Sequence, residues 1–97
     1  MTVIGGAKDV LLPIVNVLTA TAGNGIITLR WKDNGGGQAG FKIESSADNS
    51  FFYEIADLES DATSFVNTGL ASKRYYRIRA YNTGGYSPYS NVVPAGY

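Results

Sequence analysis

The sequence predicts an all-β fold, a seven-stranded antiparallel Greek-key β-sandwich, on three observations. Apolar residues recur with a period of two in several segments, turn residues interrupt the chain about every ten positions, and no segment sustains a helical period. The most informative segment is Tyr75 to Asn91. There Tyr76, Ile78 and Ala80 alternate with Tyr75, Arg77, Arg79 and Tyr81, so one face of the strand is dry and the other wet. Asn82 to Tyr86 carries turn residues, and Gly84-Gly85 can take the positive φ angles that a hairpin loop demands.

The elements follow in order. Gly5-Gly6-Ala7 and Pro13 set residues 1 to 13 apart as an N-terminal arm, and residues 14 to 97 form the sandwich, its first strand starting near Ile14 or Val15. Asn16 to Ala22 reads as that first strand, with Leu18 and Ala20 inward, and Gly23-Asn24-Gly25 turns the chain. Ile27, Leu29 and Trp31 then share one face, with Trp31 as core anchor. Lys32 to Gln38 is too glycine-rich for a strand; Phe41 and Ile43 restart the alternation. Ala47 to Ser50 is a turn, Phe52 to Ala56 a short strand, Asp57 to Asp61 a polar crossover, and Thr63 to Asn67 a further strand. The expected core is Leu18, Ile27, Leu29, Trp31, Phe41, Ile43, Phe65, Tyr76, Ile78 and Ala80.

The pattern of two aliphatics and a tryptophan at Ile27, Leu29 and Trp31, together with Tyr76-Arg77-Ile78-Arg79-Ala80-Tyr81-Asn82 and its glycine loop, resembles a fibronectin type III domain over residues 14 to 97. The resemblance implies immunoglobulin-like topology. Thr63 to Leu70 and Tyr76 to Asn82 look more like bacterial and phage members than animal receptors, which implies a non-catalytic spacer or docking unit. One departure concerns the corner after the fifth strand. The family places a tyrosine six residues after a turn leucine; counting back from Ala80, the expectation here is a turn after Leu70 that is two residues shorter, with Arg74 at the tyrosine position. Either Tyr76 takes over part of the corner's role or the corner hydrogen bond is absent. Arg-Gly-Asp occurs nowhere, so integrin binding is not carried over.

Ninety-seven residues suffice for one modest core. Eight basic and eight acidic residues cancel, so no long-range field draws nucleic acid or an anionic membrane. With neither cysteine nor histidine, the chain lacks the thiol nucleophile, the commonest general base and most transition-metal ligands. Asp57, Glu59 and Asp61 could be a carboxylate cluster for glycoside hydrolysis or calcium, but they read better as a solvated acidic turn outside any pocket. Gly35-Gly36-Gly37 lacks the lysine and hydroxyl of a phosphate loop. No basic leader precedes an apolar run near Met1, and Leu11 to Leu18 is broken by Pro13 and Asn16, too short to span a bilayer. The expectation is therefore no enzyme, no cofactor, no metal, no nucleic acid and no membrane.

Arg77 and Arg79 with Tyr75 and Tyr81 could stack on single-stranded bases, or simply shield the sheet and pair with Glu44 or Glu54. Tyr81, Tyr86 and Tyr89 cluster around the last hairpin, and Phe51 and Phe52 sit in a turn. These tyrosines are either a protein-binding edge or packing over the end of the sandwich; a flat ring could also meet carbohydrate. The partner-binding candidates are Val3, Ile4, Val10, Leu11, Leu12, Tyr81, Tyr86 and Tyr89. Met1 opens the chain, which favours a complete small protein whose arm lies against a neighbouring subunit, decorating or bridging an assembly such as a phage virion. The alternative is a spacer or carbohydrate-facing module of a multidomain secreted polysaccharide-degrading enzyme.

Overall fold

Two antiparallel sheets face each other in the computed structural model, which describes residues 17–32, 37–68 and 73–96. The expected arm over residues 1 to 13, the start of the first strand at Ile14 or Val15, and the turn holding Leu70 lie outside the described residues. The strands are β1 (Thr19–Gly23), β2 (Ile26–Arg30), β3 (Gly40–Ser46), β4 (Tyr53–Glu59), β5 (Ser64–Thr68), β6 (Arg74–Asn82), β7 (Gly85–Tyr86) and β8 (Val93–Ala95). One sheet has the order β1-β2-β5; the other has β4-β3-β6, with β7 and β8 both pairing with β6.

The alternation in the sequence sets the dry layer. Leu18, Ile27, Leu29, Trp31, Phe41, Ile43, Tyr76, Ile78 and Ala80 are all buried together, as expected, and Ala95 joins them. Phe65 only packs against the rim of this cluster, because β5 is an edge strand with one open flank. The Trp31 and Phe41 rings meet at 5.7 Å between centroids, which fixes the two sheets to each other at one end. β1 turns into β2 through Asn24 and Gly25, both at positive φ (55° and 75°), the two-residue turn whose twist suits a hairpin.

Several boundaries differ from expectation. β4 runs through Glu59, so Asp57 and Glu59 belong to a strand rather than to a crossover: Lys42 on β3 pairs with Asp57 and gives it an ordered place. In the last hairpin only Gly85 has positive φ (137°), and Asn82 pairs with Gly85, so the loop shrinks to Thr83 and Gly84. Asn82 Oδ1 accepts from the Gly84 N–H at 2.7 Å, which closes that loop without a left-handed Gly84.

The seventh expected strand is split into β7 and β8, giving eight strands among the described residues. Pro88 has no N–H to donate, and the segment between the two pieces pairs with β6 through serines instead. The Ser87 and Ser90 N–H groups donate to the Ala80 and Ile78 carbonyls. Their hydroxyls accept from the Ala80 and Ile78 N–H groups at 2.9 and 3.0 Å. Three residues advance on one strand while two advance on β6, the offset of a bulge.

Candidate interaction face

The outer face of the β4-β3-β6-β7 sheet carries a stack of cations and rings. Strand alternation sends Arg77, Arg79 and Tyr81 of β6 outward beside Lys42 and Glu44 of β3, while β7 and the split strand supply Tyr86 and Tyr89. The Arg79 guanidinium carbon lies 3.7 Å from the Tyr86 ring centre and 4.5 Å from that of Tyr89. The Arg77 guanidinium carbon lies 3.7 Å from the other neighbour it shares, Tyr89, and 4.1 Å from Phe52. Tyr86, Arg79, Tyr89, Arg77 and Phe52 therefore alternate ring and cation along the sheet.

Glu44 holds the middle of this stack. Its Oε1 accepts from Arg77 Nε at 2.8 Å, and its Oε2 accepts from the Tyr89 hydroxyl at 2.9 Å and lies 4.0 Å from Arg79 Nη2. Arg79 Nε is buried without a hydrogen-bond partner, so this cation is held by ring faces and one distant carboxylate. Burial first, and then the bond to Glu44, pushes the Tyr89 phenol above its ordinary value.

A second cluster sits beside the first. Tyr81 donates to Asp57 Oδ1 at 2.7 Å, and Lys42 Nζ reaches Asp57 Oδ2 at 3.1 Å, Glu54 Oε2 at 3.5 Å and the Tyr81 ring at 4.8 Å. Gly40 makes this reach possible, because a Cβ there would clash with the Leu58 carbonyl and meet the Tyr81 hydroxyl at 2.9 Å. The Tyr81 hydrogen bond and then Lys42 lower the Asp57 pKa. A general acid needs the opposite shift, so Asp57 is poorly suited to acid catalysis. Across the two clusters Lys42, Arg77 and Arg79 meet Glu44, Glu54 and Asp57, so the charges within the clusters cancel.

The three expected tyrosines come together here. Tyr86 is 53 % exposed, Tyr81 and Tyr89 are half-buried, and the Tyr81 and Tyr86 rings lie 6.4 Å apart. Val3, Ile4, Val10, Leu11 and Leu12 lie outside the described residues. Of the two acids expected to pair with the arginines, only Glu44 does; Glu54 turns to Lys42 instead. Tyr75 leaves the stack and lies under Lys73, whose Nζ is 5.3 Å from the ring centre. Phe52, placed in a turn by its sequence position, is the stack's terminal ring, and sequence reasoning missed this role. Its signal was there, since Phe52 is two positions before Glu54 on the outward side. Phe51 is 73 % exposed, presented by a turn that Asp48 locks by accepting from the Ser50 and Phe51 N–H groups. Among the described residues, no three acidic side chains gather as a cation site, and no helix is long and apolar enough to cross a membrane.

No protein-family model and no curated protein matches the sequence, whereas solved structures match the fold. The sixth fibronectin type III domain from human fibronectin type III domain containing protein 3 is 18% identical at a TM-score of 0.74, covering 94% of this chain and 90% of that one. A Fn3-like protein from Clostridium thermocellum is 22% identical at a TM-score of 0.73, covering 86% and 90%. A β-1,2-glucanase from Parabacteroides distasonis is 19% identical at a TM-score of 0.76; the match covers 93% of this chain and 13% of the glucanase. The chain has the fibronectin type III fold, as its strand pattern predicts.

Proposed function

We propose that this fibronectin type III fold serves as a non-catalytic protein-binding module, docking a partner on the outer face of the β4-β3-β6-β7 sheet. The carrying observation is the ordered alternation of Tyr86, Arg79, Tyr89, Arg77 and Phe52 on an exposed sheet face. Tyrosine and arginine dominate the energetics of protein interfaces, and side chains already fixed by stacking lose little further freedom on binding. Cancellation of charge within the two clusters favours a partner that matches the face in shape over one drawn by long-range charge. The finer form of this proposal is an accessory role in a larger assembly such as a virion, with Val3, Ile4, Val10, Leu11 and Leu12 as a second contact.

The test is affinity capture from the native source with three baits: the full chain, Tyr86→Ala, and a chain lacking residues 2 to 12. Tyr86 is half-exposed, so its variant stays folded, giving up one cation and ring contact with Arg79 worth about 0.5–1 kcal/mol, while recovery of the captured protein falls at least about tenfold, the loss of one hot-spot contact. Equal recovery by Tyr86→Ala rejects the face, and equal recovery by the shortened chain rejects the arm.

The match to a small part of a β-1,2-glucanase favours a second reading, a spacer in a polysaccharide-degrading chain with its aromatic face toward the glucan. Titration with β-1,2-glucan oligosaccharides separates the two. Tyr86-dependent binding supports the carbohydrate reading; no binding at millimolar sugar removes it.

A further inference from the structure

The four outer edges of the two sheets are not alike. β1 runs against β8 of the other sheet, and Asn91 clamps Leu18 just before β1 by accepting from its N–H and donating to its carbonyl. β4 carries Glu54, Asp57 and Glu59, so a second strand of the same kind laid on it would bring carboxylates together. The β7 and β8 edge is interrupted and holds Pro88 and Pro94. The remaining edge is β5, Ser64-Phe65-Val66-Asn67-Thr68, with no charge and no proline.

An antiparallel neighbour of β2 turns every second N–H and C=O away from that strand, and β5 has no further strand on its open flank among the described residues. The residues around it are apolar where water should be. Val66 is 52 % exposed and Ile26 on the same outward face is 42 % exposed, while Phe65 is only partly covered from the inside.

We infer that β5 is a self-association edge, pairing antiparallel with β5 of a second copy about a two-fold axis through Val66. Strand composition argues for this occupant. Centred on Val66, an antiparallel pair sets Ser64 opposite Thr68, Phe65 opposite Asn67 and Val66 opposite itself, so no charge is buried and no like charges face each other. A formal net charge of zero removes long-range repulsion between copies. The dimer would join two three-stranded sheets into one of six, and each copy's cation and ring face, being on the other sheet, stays free. The inference is independent of the function proposed above and would give that function two binding faces per particle.

The absence of cysteine makes the test direct. A Val66→Cys pair at the axis would have Cα atoms about 4.5–5.5 Å apart, inside the range a disulfide spans. A Thr28→Cys pair, one strand further back on each side, would be about 14 Å apart at strand spacing, outside it. Under copper-phenanthroline, Val66→Cys should yield covalent dimer at least about tenfold faster than Thr28→Cys, and sedimentation should show dimer growing with concentration. Val66→Lys should stay folded, because Val66 is half-exposed, and raise the dimer Kd severalfold by setting two like charges directly opposite each other at the axis. Wild-type monomer up to about 1 mM, or equal crosslinking at the two positions, overturns the inference.

Discussion

Glu44 and Tyr89, one on β3 and the other in the split last strand, are joined by a 2.9 Å hydrogen bond from the tyrosine hydroxyl to Glu44 Oε2. The same carboxylate accepts from Arg77, so one acid organises both the ring and the cation of the central layer.

Removing either partner should therefore have unequal effects. Glu44→Ala leaves a largely buried Arg77 guanidinium without its carboxylate, and a lost hydrogen bond to a charged group costs about 1.5–3 kcal/mol. Tyr89→Phe keeps the ring between Arg77 and Arg79 and gives up only its bond to Glu44, so it should cost less than Glu44→Ala. Tyr89→Ala also loses two cation and ring contacts worth about 0.5–1 kcal/mol each. Urea unfolding of the three variants checks the order, and a Tyr89→Phe loss as large as that of Tyr89→Ala would mean that the ring stacking contributes nothing.

Ser87→Ala and Ser90→Ala test the split strand. Each removes the acceptor for a buried β6 N–H, that of Ala80 or Ile78, while leaving the serine's own N–H bond in place. An unsatisfied buried donor costs about 1–3 kcal/mol. Amide hydrogen exchange should then quicken at Ala80 in the first variant and at Ile78 in the second, each at its own position. Uniform quickening along β6 would instead indicate a general loss of stability.

Much of this was legible in the sequence, and the parts that were not share a cause. Ile27, Leu29, Trp31, Tyr76, Ile78 and Ala80 alternate strictly, so burial followed from period alone. Asp57 and Glu59 look like loop residues because acids disfavour strands, but Lys42 across the β3 and β4 pair and Tyr81 one strand further give Asp57 partners that local composition does not reveal. Convergence of Tyr81, Tyr86 and Tyr89 was visible from their nearness in the hairpin, whereas Phe52 and Glu44 reach the stack through strand register, a non-local quantity. The serine pairing was hidden for the same reason, since the partners of Ser87 and Ser90 are set by their offset from β6 and not by their neighbours in the chain.

Tyr76 settles one open point about the corner after β5. Counted from Leu70, Tyr76 and not Arg74 is the sixth residue on, so the expected displacement of the tyrosine is corrected: its hydroxyl accepts from Asn67 Nδ2 at 3.1 Å and ties β6 to the end of β5, while Arg74 donates to Tyr53. Tyr76 is fully buried, and Tyr76→Phe should cost about 1 kcal/mol with little repacking. A double-mutant cycle with Asn67→Ala should give a coupling of about 0.5 kcal/mol or more, as for residues in direct contact. Strict additivity would show that the bond contributes nothing to stability.

The pH dependence of stability follows from the directions of five shifts. Asp57, through Tyr81 and Lys42, and Asp48, through the Phe51 and Ser50 N–H groups, both titrate below their ordinary value in the folded chain. A lowered carboxyl contributes stability that is complete above its unfolded pKa, about 4, and is lost as pH falls through the folded one. Tyr81 and Lys42, each chiefly through its bond to Asp57, and Tyr89, mainly through burial, titrate above theirs. Their contribution is complete below an unfolded pKa of about 10 and is lost as pH rises beyond it. Stability should thus be flat near neutrality and fall on both sides, with no step between about pH 5 and 8, where histidine would titrate, because the chain has none. Urea midpoints measured across pH check this. Asp57→Asn should flatten part of the acid limb and, by removing the carboxylate that raises Tyr81 and Lys42, flatten part of the alkaline limb as well; an unchanged alkaline limb would show that the Tyr81 and Asp57 bond does not persist in solution.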